Sequence, residues 1–201
     1  MIEEPLNLSH YRCRCIYSRR SGLPVVLLHG YNYTSHVWQE IGLLQKLEDE
    51  KIPYLAIDMP YGARSMCSPR TRDPLENVEV VSTAIRGLFG NTAPLLVGAS
   101  LGGYIALKYS TVKPVSGLLL VAPVNSLEEE LVNKYGSMSV PSMIIWGSKD
   151  RIVSREEMEK LAALLDARLI VYEGARHAAY LDYPDRFAKD LIAFYKALHL
   201  R

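Results

Sequence analysis

A serine hydroxyl attacks an acyl carbon only under two conditions. A base must take its proton, and donors must receive the charge that builds on the oxygen. Gly98-Ala99-Ser100-Leu101-Gly102 offers such a serine. The pattern G-x-S-x-G lies between an apolar β-type run, Pro94-Leu95-Leu96-Val97, and a helix-like run over residues 101–110. A serine at a sharp strand-to-helix turn holds its Oγ above the sheet edge, and Gly98 and Gly102 let that turn close without collision. The N–H of Leu101 then points at the same spot, beside a helix N-terminus that favours negative charge.

Three further segments supply the rest of the chemistry. Val25-Val26-Leu27-Leu28-His29-Gly30-Tyr31 reads as a short buried strand that bends at Gly30, so the N–H of Tyr31 is the second oxyanion donor. His29 is expected to brace that loop rather than to move protons. Ser142-Met143-Ile144-Ile145-Trp146-Gly147-Ser148-Lys149-Asp150 is an apolar strand running into a turn that presents Asp150, the orienting acid. Leu169-Ile170-Val171-Tyr172 is a strand whose following loop carries His177, the base. The chain order is serine, then aspartate, then histidine. It separates this constellation from two other serine-hydrolase designs that share the geometry.

With those residues in view, the chain resembles an α/β-hydrolase from about Val25 to Leu198. It is most similar to the small, lidless, esterase-like branch typified by the factor-B-type hydrolases, first described as binding a transcription-initiation subunit. The resemblance is carried by four stretches: Leu27-Leu28-His29-Gly30 with Trp38-Gln39 following, Ala56-Ile57-Asp58-Met59-Pro60, Trp146-Gly147-Ser148-Lys149-Asp150, and Gly174-Ala175-Arg176-His177-Ala178-Ala179-Tyr180-Leu181-Asp182. Many relatives carry Asp-x-Pro-Gly-x-Gly-x-Ser at the second stretch. Here Asp58-Met59-Pro60-Tyr61-Gly62-Ala63-Arg64-Ser65 displaces the glycines, so the shape of that loop does not carry over. The resemblance implies an α/β-hydrolase fold: a mostly parallel, doubly wound sheet with helices on both faces and no cap domain.

Composition sets bounds. The 201 residues suit one α/β domain over 1–201, and 49% hydrophobic with 22% charged residues is ordinary for a globule. A formal net charge of +1 suggests neither a nucleic-acid partner nor an anionic membrane surface. No apolar run approaches the roughly 18 residues of a membrane span. Met1-Ile2-Glu3-Glu4-Pro5 lacks the basic and apolar regions of a signal peptide. The three cysteines, Cys13, Cys15 and Cys67, are expected to be free thiols in a reducing cytoplasm.

Periodicity then places the supports. Strands are predicted over residues 11–17, 53–57 and 116–121. Helices are predicted over residues 35–51, 75–89, 126–135, 154–165 and 184–198, the last with Pro184 in its first turn. Strands alternating with helices imply a parallel sheet. The interval between the strand after the serine helix and the Asp150 strand holds one short helix, too little for a cap. The longest loop, 61–74, carries Arg64, Arg70 and Arg72 and reads as a solvated basic loop; the alternative is that one of these arginines meets an anionic group on a substrate. Tyr33, Trp38, Arg64 and Tyr104 are candidate substrate contacts. The expected function is cleavage of small carboxylic esters or related acyl compounds by water, with no metal or cofactor. The alternative is a non-catalytic protein-interaction module on the same fold.

Overall fold

The computed structural model describes residues 1–199. Its frame is an eight-stranded sheet built from β1 (Ile2–Leu8), β2 (Tyr11–Ser18), β3 (Val25–Leu28), β4 (Tyr54–Ile57), β5 (Leu95–Ala99), β6 (Gly117–Val121), β7 (Ser142–Gly147) and β8 (Arg168–Tyr172). The order across the sheet is β1-β2-β4-β3-β5-β6-β7-β8. β1 and β2 form an antiparallel hairpin, β2 runs antiparallel to β4, and every other pair is parallel.

Strand period dictates two cores. Successive side chains on a strand point to opposite faces. Val26, Leu28, Leu96, Leu118, Leu120 and Ile144 therefore bury on one face, against Val81 and Ile85 of α3 (Pro74–Phe89), Ile105 of α4 (Leu101–Ser110) and Leu161 of α6 (Arg155–Leu165). Val25, Leu27, Val97, Leu119 and Ile145 bury on the other, against Trp38 of α1 (His36–Glu40), Leu44 and Leu47 of α2 (Leu43–Asp49), and Phe187 and Leu191 of α8 (Pro184–Leu198). The central strands β3 and β5 are buried throughout, as continuous apolar runs in parallel sheets require. α5 (Glu129–Tyr135) is the only helix between β6 and β7, and α7 (Ala179–Asp182) is a single turn after β8. The described residues hold no cap domain. Among the described residues no helix is long and apolar enough to cross a membrane.

One strand stands outside the expectations, and two expectations need correction. β1 was not predicted: Glu4 interrupts the apolar face of Ile2, Leu6 and Leu8, and the strand is mostly exposed. It exists because its backbone pairs with β2 along seven residues, and Pro5 is tolerated on an edge strand. The single helix expected over residues 35–51 is two, because Gly42 at φ +74° breaks it. The three thiols are not all free: Cys13 and Cys67 form a disulfide, leaving Cys15 buried and unpaired. Paired backbone bonds between Arg12 and Ser68, 2.8 and 3.0 Å, bring the two stretches side by side. The thiol argument for a reducing compartment therefore no longer stands.

Candidate active site

The parallel strands end along one rim, and the loops leaving β3, β5, β7 and β8 converge there. Ser100 is the residue between β5 and α4, at φ +53° and ψ −114°. A non-glycine residue at positive φ stores strain that its surroundings must over-determine. Here Ser100 N–H donates to the Val121 carbonyl at 2.9 Å, and its own carbonyl accepts from Tyr104 N–H at 3.1 Å. A Cβ on Gly98 would stand 2.4 Å from the Gly102 oxygen, and one on Gly102 would stand 2.2 Å from the Leu28 oxygen. Both contacts are with backbone, so only glycine permits this approach of α4 to β5 and β3.

Above Ser100 sits His177. Its Nε2 lies 2.9 Å from Ser100 Oγ, and its Nδ1 lies 2.7 Å from Asp150 Oδ2. A carboxylate only accepts, so Nδ1 carries the proton and Nε2 is left to accept from the serine hydroxyl. The Asp150 side chain is fully shielded from solvent, while that of His177 is 18% exposed. Burial alone would raise the Asp150 carboxyl. The hydrogen bond from His177 and the N–H groups of Ile152 and Val153 outweigh it and hold the group below the ordinary carboxylate range. Gly147 makes the junction fit, because a Cβ there would stand 2.3 Å from the Arg176 oxygen and 2.4 Å from that of Ala175. The loop after β8 thus lies directly on the end of β7. It is tied there by Lys149 N–H to the Ala175 carbonyl at 2.8 Å and Gly174 N–H to Ser148 Oγ at 2.8 Å.

The β3 loop faces Ser100 from the other side. The Tyr31 N–H has no acceptor among the described residues, and Leu101 opens α4, where a helix leaves its first N–H groups free. His29 is fully buried and both of its ring nitrogens are engaged. Nδ1 lies 2.8 Å from the Gly30 carbonyl, and Nε2 accepts from Met59 N–H at 2.9 Å. Burial lowers its pKa, so the imidazole stays neutral and joins the β3 loop to the β4 loop.

The other carboxylates near these loops are occupied elsewhere. Asp58 accepts from Ser35 N–H and Met66 N–H, each at 2.7 Å, and pairs with Arg14 at 3.0 Å. Asp182 accepts from the backbone N–H of Arg176 at 2.7 Å and pairs with its guanidinium.

Of the four candidate substrate contacts, only Tyr104 lines the cavity beside the serine. That cavity, about 450 Å³, is bounded by Tyr31, Tyr61, Arg72, Leu101, Tyr104 and Asn125. Trp38 is corrected: it is fully buried, 4.9 Å from Tyr180 and 6.0 Å from Phe187 between ring centroids, because its indole fills the space between α1 and α8. Tyr33 meets Tyr180 edge-on at 6.4 Å and lies outside the cavity wall. Arg64 is exposed and also lies outside it; the arginine on the wall is Arg72. The loop's charge had drawn attention to Arg72, but spacing alone did not single it out. A larger cavity, about 560 Å³, opens at the far end of the sheet between the start of β7, β8 and α8, remote from Ser100.

Comparison with known proteins agrees with this architecture. The Alpha/beta hydrolase family matches residues 25–141. Protein ABHD14A of Danio rerio is 30% identical over 178 residues, covering 88% of this chain and 65% of that protein. This chain therefore spans less than two thirds of that relative's length. A Rattus norvegicus protein named "Putative protein-lysine deacylase ABHD14B" is 30% identical over 178 residues, covering 87% of this chain and 83% of its own. Among solved structures, one described as a predicted CIB-like hydrolase from Thermoplasma acidophilum superposes with a TM-score of 0.84 over 96% of both chains. At 24% identity that likeness carries the fold alone.

Proposed function

The chain belongs to the alpha/beta hydrolase family, and from that premise we propose that it cleaves small acyl compounds through an acyl-enzyme on Ser100. The observation that carries this reading is the unbroken hydrogen-bonded chain from Ser100 Oγ through His177 to Asp150. In the first step His177 Nε2 takes the hydroxyl proton as Oγ bonds to the acyl carbon. Asp150 holds the imidazole in the required tautomer and stabilises the imidazolium. The N–H groups of Leu101 and Tyr31 receive the oxyanion, each worth roughly 3–4 kcal/mol of barrier in comparable enzymes. His177 then returns its proton to the departing oxygen, sulfur or nitrogen. Water, deprotonated by the same nitrogen, releases the acid. The name of the rat relative, "Putative protein-lysine deacylase ABHD14B", describes the same acyl-transfer chemistry with an amine as the departing group.

Fluorophosphonate labelling tests the nucleophile directly. The unaltered protein is expected to label stoichiometrically. Ser100→Ala is expected to lose the label and about 10⁶ in kcat, with little change in melting temperature. With no cap to enclose a long chain, kcat/KM over a series of p-nitrophenyl esters is expected to peak between acetyl and butyryl. Most esterase activity surviving in Ser100→Ala, or a steady rise to decanoyl esters, contradicts the proposal.

A further inference from the structure

The three arginines of the 61–74 loop do different work. Arg70 is consumed by the loop itself, donating to the carbonyl oxygens of Gly62 at 2.9 Å, Ala63 at 2.7 Å and Ser65 at 2.9 Å. Arg64 stands in solvent away from the cavity. Arg72 lines the cavity that also contains Leu101 and Tyr31, the two proposed oxyanion donors. Its guanidinium lies 5.6 Å from the centroid of the Tyr31 ring and donates to the Tyr31 hydroxyl at 3.0 Å. A hydroxyl that accepts from arginine keeps its own proton free to donate. The cation–π contact and this bond restrain the fork before any ligand arrives, which reduces the ordering cost of binding.

No carboxylate neutralises this pair. Among the described residues none lies within ion-pairing distance of Arg72. The nearby acids are engaged. Asp73 Oδ1 caps α3 by accepting from Leu75 and Glu76 N–H groups. Glu76 accepts from the Tyr11 hydroxyl at 2.7 Å. Glu128 accepts from Tyr104 on the cavity wall at 2.8 Å and faces Lys108 at 3.5 Å.

The direction of the chemistry says which half of a substrate enters this space. His177 must protonate the departing group, so that group lies on the imidazole side of the oxyanion. Ser100, His177 and Asp150 all lie outside the cavity wall, which adjoins the serine through Leu101 and Tyr31, the oxyanion side. A cavity on that side suits the acyl half. We propose that this acyl half ends in a carboxylate, and that Arg72 with the Tyr31 hydroxyl reads it. The substrates are then half-esters, half-thioesters or half-amides of short dicarboxylic acids of the malonyl, succinyl or glutaryl type. This inference rests on the serine-hydrolase reading above.

The test compares ethyl hydrogen succinate with ethyl levulinate, its neutral near-isostere, by ethanol release at low ionic strength. The unaltered protein is expected to favour the succinate by about tenfold in kcat/KM, the scale of one charge-assisted hydrogen bond. That ratio is expected to fall to about one in Arg72→Ala, to invert in Arg72→Glu, and to shrink in the unaltered protein as sodium chloride screens an exposed guanidinium. The salt series needs no variant and so does not depend on how the variants fold. A ratio at or below one in the unaltered protein, or one that Arg72→Ala leaves intact, overturns the inference while Ser100-dependent cleavage of levulinate keeps the hydrolase reading. Absence of Ser100-dependent cleavage of either ester, together with no fluorophosphonate labelling, overturns both.

Discussion

The exits of β4 and β7 are built around the same device and put it to opposite uses. Each strand runs into a turn carrying an aspartate whose side chain is fully buried, Asp58 after β4 and Asp150 after β7. Each carboxylate accepts two backbone N–H groups, Ser35 and Met66 at one exit, Ile152 and Val153 at the other. Burial would raise both acids, and in each case hydrogen bonds and a nearby cation or histidine hold the carboxyl below its ordinary range. They differ in the partner. Asp58 faces Arg14, whose charge is permanent, so that exit is a fixed clamp on the 61–74 loop. Asp150 faces a histidine, whose charge comes and goes in the proposed turnover, so under that proposal the exit holds a moving proton. The same carboxylate geometry thus serves rigidity or chemistry according to what titrates opposite it.

The sharpest way to break the comparison is to remove each charge in turn. Asp150→Asn is expected to lower kcat by about 10⁴ through the wrong imidazole tautomer, with a smaller loss of urea midpoint than Asp58→Asn. Asp58→Asn is expected to do the reverse. It leaves Arg14 facing an uncharged group and should destabilise toward the lower end of ~3–5 kcal/mol, because Arg14 remains partly exposed. Its kcat per fluorophosphonate-titrated site should change less than tenfold. If Asp58→Asn silences the titrated site, the two exits are not separate devices.

Gly147→Ala sharpens the contrast with a smaller effect. Its new Cβ meets two backbone oxygens of the His177 loop and displaces the imidazole from Ser100. A displacement near 1 Å is expected to reduce kcat by about 10², and because the clash is with backbone the melting temperature is expected to fall as well. The smallest effect is in acid. Both aspartates have folded pKa values below their unfolded ones, so each contributes stability that is complete above the ordinary carboxylate pKa. That stability is lost as pH falls toward the depressed folded value. Unfolding free energy against pH, measured below about pH 4, should therefore be flatter for Asp58→Asn than for the unaltered protein. An equal slope would show that Asp58 titrates alike in both states.

Residues whose role is written in local chemistry were legible before the structure. Pro184 marks the first turn of α8, and the run from Leu95 into Ser100 announces both β5 and the turn after it. Residues whose role depends on a distant partner were not. β1 is held mainly by its neighbour's backbone, and Cys13 meets Cys67 where Arg12 and Ser68, far apart in sequence, pair. Trp38 and Arg72 show the same limit at the site. An aromatic or an arginine near the right loop in sequence turns inward or toward the cavity according to packing that spacing does not encode.

The brief connection from β6 to β7, with α5 as its only helix, has a kinetic consequence. In the proposed mechanism, with no cap among the described residues, no cap has to open before product departs. Turnover of a slow ester is then limited by bond-making alone. Raising solvent viscosity with sucrose is expected to leave its kcat unchanged, whereas an enzyme waiting on a lid would slow in proportion.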